Sequence, residues 1–188
     1  MHRTSGFRFF IALVASMWVQ FGASASAEAT TATANLTAGS LAFVSAPPAV
    51  SFSATLNGLD QTVSTTQALD VGDATGSGTG WNITATSTTF ATTSPVHTLS
   101  TSATTVGTAP TVACDASASC TTATTNVTYP YTLPAAGTAP TATKLFNATA
   151  NTGMGNQTVT PTWKLAVPAS TFAGTYNSTW TLSLVSAP

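Results

Sequence analysis

The chain has 188 residues, of which 5% are charged, with a formal net charge of −1 at pH 7. Beyond the first 27 residues the cations are Lys144 and Lys164, against Glu28, Asp60, Asp70, Asp73 and Asp115, so that portion carries −3. No basic patch exists there to neutralise phosphates, which argues against nucleic-acid binding.

Arg3 and Arg8 precede the apolar run Phe9 to Val19, and small residues follow up to Ala25-Ser26-Ala27. This is the layout of a secretory signal peptide, with cleavage expected between Ala27 and Glu28 and a cut after Ala25 as second choice. A retained anchor is the rival reading, but the apolar run is short for a span of roughly 20 residues. The expected organisation is thus a signal peptide over 1–27 and a single domain over 28–188, with no membrane span after cleavage. That length hides enough surface to fold without disulfides.

From residue 40 onward, short runs alternate apolar residues with Thr or Ser and are broken by Pro, Gly and Asn. Ser40 to Val44, Val50 to Ala54, Trp163 to Val167 and Thr179 to Val185 are such runs. Repeated short strands with turn signals between them predict an all-β protein, an Ig-like or Greek-key β-sandwich. Ala46-Pro47-Pro48 marks a turn, and Asn57-Gly58 suggests a hairpin between Phe52–Leu56 and Gln61–Val63. Residues 87–125 are mostly Thr, Ser and Ala and offer little to bury, which predicts a loop-rich insertion without core contacts of its own. Cys114 and Cys120 lie inside it, and export favours a structural disulfide over a metal site. Strand character is expected to resume near Asn126 to Tyr129.

Trp81-Asn82-Ile83 follows the glycine-rich Gly76 to Gly80, and Trp180-Thr181-Leu182 follows Tyr176 and precedes Pro188. On a strand, Trp180, Leu182 and Leu184 share one face and Thr179, Thr181 and Ser183 the other. These two Trp-x-aliphatic triplets, with the glycines before the first and Tyr176 and Pro188 around the second, resemble the WxL domain of bacterial surface proteins. Isoleucine in place of leucine at Ile83 is a mild departure. Trp163-Lys164-Leu165 has the same spelling without the family's flanks and reads as coincidence.

The resemblance implies a secreted protein attached non-covalently to a Gram-positive cell wall, with peptidoglycan or another wall glycan as partner and association with other surface proteins. Trp81 and Trp180 are then either platforms for sugar rings or fillers of the core, and their period-2 alternation favours the core. An assembly subunit joined through exposed strand edges is the alternative function, and a module for external glycans is a third.

The remaining features point to no reaction. Asp70-Val-Gly-Asp73 lacks the acidic ladder of a calcium loop, so no metal is expected. His97 stands in a Thr-rich stretch without a nucleophile or a carboxylate in a supporting motif, and the carboxylates have no paired context for acid-base work, so neither catalysis nor a cofactor is expected. Six Asn-x-Thr sequons, at Asn35, Asn82, Asn126, Asn147, Asn156 and Asn177, are what a Thr-rich chain produces by chance.

Overall fold

A computed structural model describes residues 27–186. Pro188 and the proposed signal segment before Ala27 lie outside the described residues. Residues 27–35 are exposed and without regular structure, and a compact unit begins at Leu36.

The described chain is all β. Its strands are β1 (Leu41–Phe43), β2 (Gln61–Thr66), β3 (Leu69–Asp73), β4 (Trp81–Thr88), β5 (Thr104–Val106), β6 (Thr111–Cys114), β7 (Tyr131–Thr132), β8 (Ala135–Ala136), β9 (Thr143–Ala148), β10 (Gly155–Thr160), β11 (Thr162–Val167) and β12 (Trp180–Ser186).

Two ladders share one bend. β2 pairs with β11 and β3 with β10, all antiparallel, and the Gln67 amide donates to the Pro161 carbonyl at 3.2 Å where both strands turn. Pro161 has no amide for a ladder, so it suits the break between β10 and β11. β5 flanks β11 and is itself paired with β7, while β6 flanks β10 and β1 closes the β3 side. The second layer is built on β4. β12 pairs along one edge from Trp81 to Ser87, and β9 and the short parallel β8 divide the other.

The two layers enclose one apolar core, which is the β-sandwich expected from the alternation. Leu69, Val71, Val159 and Trp163 enter from the bent layer, and Trp81, Ile83, Ala85, Leu145 and Phe146 from the β4 layer. Trp81 and Trp163 are both completely buried.

Residues 87–125 differ from expectation in one respect. They are loop-rich, but β5 lies inside its sheet between β11 and β7, and Leu99, Ala103, Thr104, Val106 and Ala123 are buried. Buried amide side chains on neighbouring strands hold the following stretch in place. Gln157 Oε1 on β10 accepts the Ala123 amide at 2.8 Å, and Asn147 Oδ1 on β9 accepts both the Asn126 amide at 3.0 Å and the Thr125 hydroxyl at 2.9 Å. Pairing buried backbone in this way offsets the poor apolar content of the segment. Residues 126–129 form no strand, and pairing resumes at Tyr131.

The hairpin expected at Asn57-Gly58 is also not formed. Gly58 does turn with φ of 78°, and Asn57 Oδ1 accepts the Leu59 amide at 3.0 Å, but residues 44–60 belong to no strand. Two glutamine side chains secure this segment instead: Gln67 Nε2 donates to the Pro48 carbonyl at 2.7 Å and Gln61 Nε2 to the Thr55 carbonyl at 3.1 Å.

Candidate functional site

The glycines before Trp81 are there for close approach. Gly80 has φ of 80°, and a Cβ on it would stand 2.2 Å from the Ala148 carbonyl oxygen, so only glycine lets β4 start against β9. The Trp81 indole N–H donates to the Gly153 carbonyl at 2.9 Å, and its ring packs on Phe146 with centroids 5.9 Å apart. Trp81 and Ile83 therefore belong to the core, with the one polar atom of the indole satisfied.

Trp180 is placed differently. It is half-buried at the start of β12, with Phe52, Phe90 and Trp163 around it at centroid distances of 6.4, 6.3 and 4.8 Å. Leu182 and Leu184 follow it on the same face, also half-buried against the core. Trp163, expected on an alternating strand with its Trp-x-Leu spelling read as coincidence, is fully buried on β11, with its indole N–H donating to Gln67 Oε1 at 2.9 Å.

Beyond Trp180 the β4 layer stops covering β11, and the inward face of β11 continues into an open cleft of about 920 Å³. Leu165, Val167 and Val63 form part of its lining, and the irregular segments 47–56 and 171–178 form its sides. Leu99, Leu165 and Val167 belong to a second apolar cluster there, packed with Phe52, Phe90 and Tyr176. The Tyr176 hydroxyl donates to the Phe172 carbonyl at 3.0 Å, bracing the 171–178 wall. Phe172 is 61% exposed and stacks on His97, with centroids 3.9 Å apart and planes 11° apart. No charged residue lines the cleft. Five aromatic side chains, Phe52, Phe90, Phe172, Tyr176 and Trp180, do so, interspersed with Ser, Thr, Asn and backbone groups.

A second, smaller hollow beside Cys114 holds Asp70, Asp115 and Thr158. Burial and the neighbouring Asp115 carboxylate push the Asp70 carboxyl above the usual carboxylate range. Thr158 Oγ1 donates to Asp115 Oδ1 at 2.9 Å. Cys114 and Cys120 are joined in a disulfide, with Cα atoms 5.6 Å apart. Asp73 instead shapes the turn toward Trp81, its Oδ1 accepting the Thr75 amide at 3.0 Å and the Thr75 hydroxyl at 2.6 Å. Among the described residues, no group of three or more His, Cys, Asp and Glu is arranged to hold a metal ion. No helix among them is long and apolar enough to cross a membrane. Asn82 and Asn147 are buried, so these two sequons are inaccessible in the folded chain.

The sequence-predicted residues thus separate. Trp81 and Ile83 lie in the core, Tyr176 and Trp180 line the cleft, Leu182 and Leu184 continue along the edge strand, and Cys114 and Cys120 stand apart from all of them. No curated protein and no solved structure matches the chain at a significant level. The family described as WxL domain, surface cell wall-binding, matches residues 11–188. With both Trp-x-aliphatic triplets on paired strands of an all-β sandwich, the chain belongs to the WxL family of surface cell wall-binding domains.

Proposed function

We propose that this protein is exported, remains non-covalently at the cell surface, and holds the wall through the glycan strands of peptidoglycan, which enter the cleft between segments 47–56 and 171–178. The observation that carries this reading is the chemistry of the lining, aromatic rings among hydroxyl, amide and backbone groups with no charge. A pyranose ring presents C–H faces that pack on aromatic rings and equatorial hydroxyl and acetamido groups that need hydrogen-bond partners. A concave, largely apolar site with a few polar groups suits such a ligand. An anionic ligand such as a teichoic acid would find no cation in this lining. The exposed Phe172 ring, backed by the half-buried His97 stacked on it, forms the rim on which a sugar first stacks, and Trp180 lies deeper, between the cleft and the core.

The test is co-sedimentation of the full chain with purified peptidoglycan, with soluble glycan fragments and stem peptides as competitors. The expected result is sedimentation above a control protein of similar size, relieved by the glycan fragments. Sedimentation no greater than the control, or competition by the stem peptides alone, contradicts the proposal.

A further inference from the structure

Residues 31–38, Thr-Ala-Thr-Ala-Asn-Leu-Thr-Ala, alternate without interruption. Ala32, Ala34, Leu36 and Ala38 fall on one face of an extended chain, and Thr31, Thr33, Asn35 and Thr37 on the other. This is the pattern of a half-buried strand, yet every one of these residues is exposed, Leu36 to 96%, and no described strand pairs with them.

β12 offers the complementary feature. Among the described residues it pairs only with β4; β1 comes within 8 Å of it at the Cα atoms but forms no ladder with it, so the backbone groups on its other edge have no strand partner. The Thr88 amide donates to the Thr179 carbonyl at 2.9 Å, which sets the phase of the ladder. In an antiparallel pair the bonded positions alternate, so Thr181, Ser183 and Val185 turn their backbone groups toward β4, and Trp180, Leu182 and Leu184 turn theirs outward. The last three are also the residues whose side chains are only half covered. An edge strand is normally guarded by charge, proline or brevity. β12 has none of these, with seven residues and no charged or proline side chain. The edge of β2 is different, because segment 48–55 is tied beside it by Gln61 and Gln67.

We propose that residues 31–38 of one chain add as a strand to the open edge of β12 in a second copy. Eight residues match the seven of β12 in length, the alternating small residues cover the half-exposed flank of Trp180, Leu182 and Leu184, and neither segment carries a charge to repel the other. Main-chain hydrogen bonds supply the attraction, as in other strand-addition complexes. Arm and edge are different surfaces, so the contact is heterologous and propagates from copy to copy rather than closing on a pair.

Two experiments on the full chain test this. In size-exclusion chromatography with light scattering, the wild type is expected to form larger species as concentration rises, and Ala34→Pro, which removes a ladder donor from an exposed position, to weaken this by about tenfold or more. Its thermal unfolding should match the wild type, because position 34 is exposed and unpaired. In the second, chains carrying Thr33→Cys are mixed under mild oxidation with chains carrying Thr181→Cys or Ser183→Cys, and a covalent heterodimer is expected. A wild type that stays monomeric throughout, an Ala34→Pro variant that assembles like the wild type, or mixed chains that give no covalent heterodimer overturns the proposal.

Discussion

The indole of Trp163 meets that of Trp180 edge to face, with ring centroids 4.8 Å apart, and this contact ties the bent layer to the β4 layer where the cleft begins. Trp163 is completely buried and Trp180 half-buried, so the two should not respond alike to truncation. Trp163→Ala is expected to cost about 3–5 kcal/mol, as for other buried large-to-small changes, and Trp180→Ala clearly less. A double-mutant cycle in urea should return a coupling of about 0.5–1.5 kcal/mol for the ring pair. Equal losses for the two single variants would contradict the placement of Trp180 at the boundary of the core.

Gly153 touches the other tryptophan. Its φ is 80°, and a Cβ added there would lie 2.4 Å from Ala148 Cβ and 2.7 Å from Trp81 Nε1. Gly153→Ala therefore combines a disfavoured backbone conformation with a clash, and should destabilise the fold by more than about 1 kcal/mol. Near-UV circular dichroism should register the displaced indole, while Gly137→Ala, with open space around it, should leave both readouts unchanged.

Strands whose two faces differ in polarity were legible in the sequence, and β4, β11 and β12 appear where the alternation placed them. What escaped was held by polar groups rather than by apolar pattern. β5 is three residues long, and the 120s stretch is fixed by Gln157 and Asn147, whose partners are distant in sequence. Local composition carries no sign of such pairings. The cleft escaped for a related reason, since Phe52, Phe90 and Phe172 come from three separate segments and converge only in the fold. Trp163 belongs with the legible positions, because its alternation with Leu165 and Val167 equals that of Trp180 with Leu182 and Leu184.

Gln157→Leu tests the polar account of that middle segment. It would leave the Ala123 amide without its acceptor in a buried site, at a cost of about 1–3 kcal/mol. Hydrogen exchange should show the Ala123 amide losing protection ahead of the β4 ladder. Unchanged stability and protection would mean that the segment is held by something else.

Asp70 sets a pH dependence of definite sign. Burial, and then the charge of Asp115, raise its carboxyl above the unfolded value. The protonated form is thus favoured in the folded state, and this stabilising contribution is fully present below about pH 4 and lost as pH rises through the folded value. Asp70→Asn removes both the desolvated charge and the repulsion. It should raise the midpoint of thermal unfolding at pH 7, with the gain shrinking toward pH 4. A gain that grows on acidification would contradict the assignment.

If the cleft, rather than the core tryptophans, meets the wall glycan, then an exposed cleft residue should matter to binding and not to folding. Peptidoglycan co-sedimentation of Phe172→Ala beside the wild type and Val185→Ser, with thermal unfolding recorded for all three, separates the two. Phe172 and Val185 are both substantially exposed, but only Phe172 lines the cleft. Wall binding about tenfold weaker for Phe172→Ala, with Val185→Ser and all unfolding midpoints near the wild type, is the expected outcome. Phe172→Ala binding the wall as tightly as the wild type would contradict it.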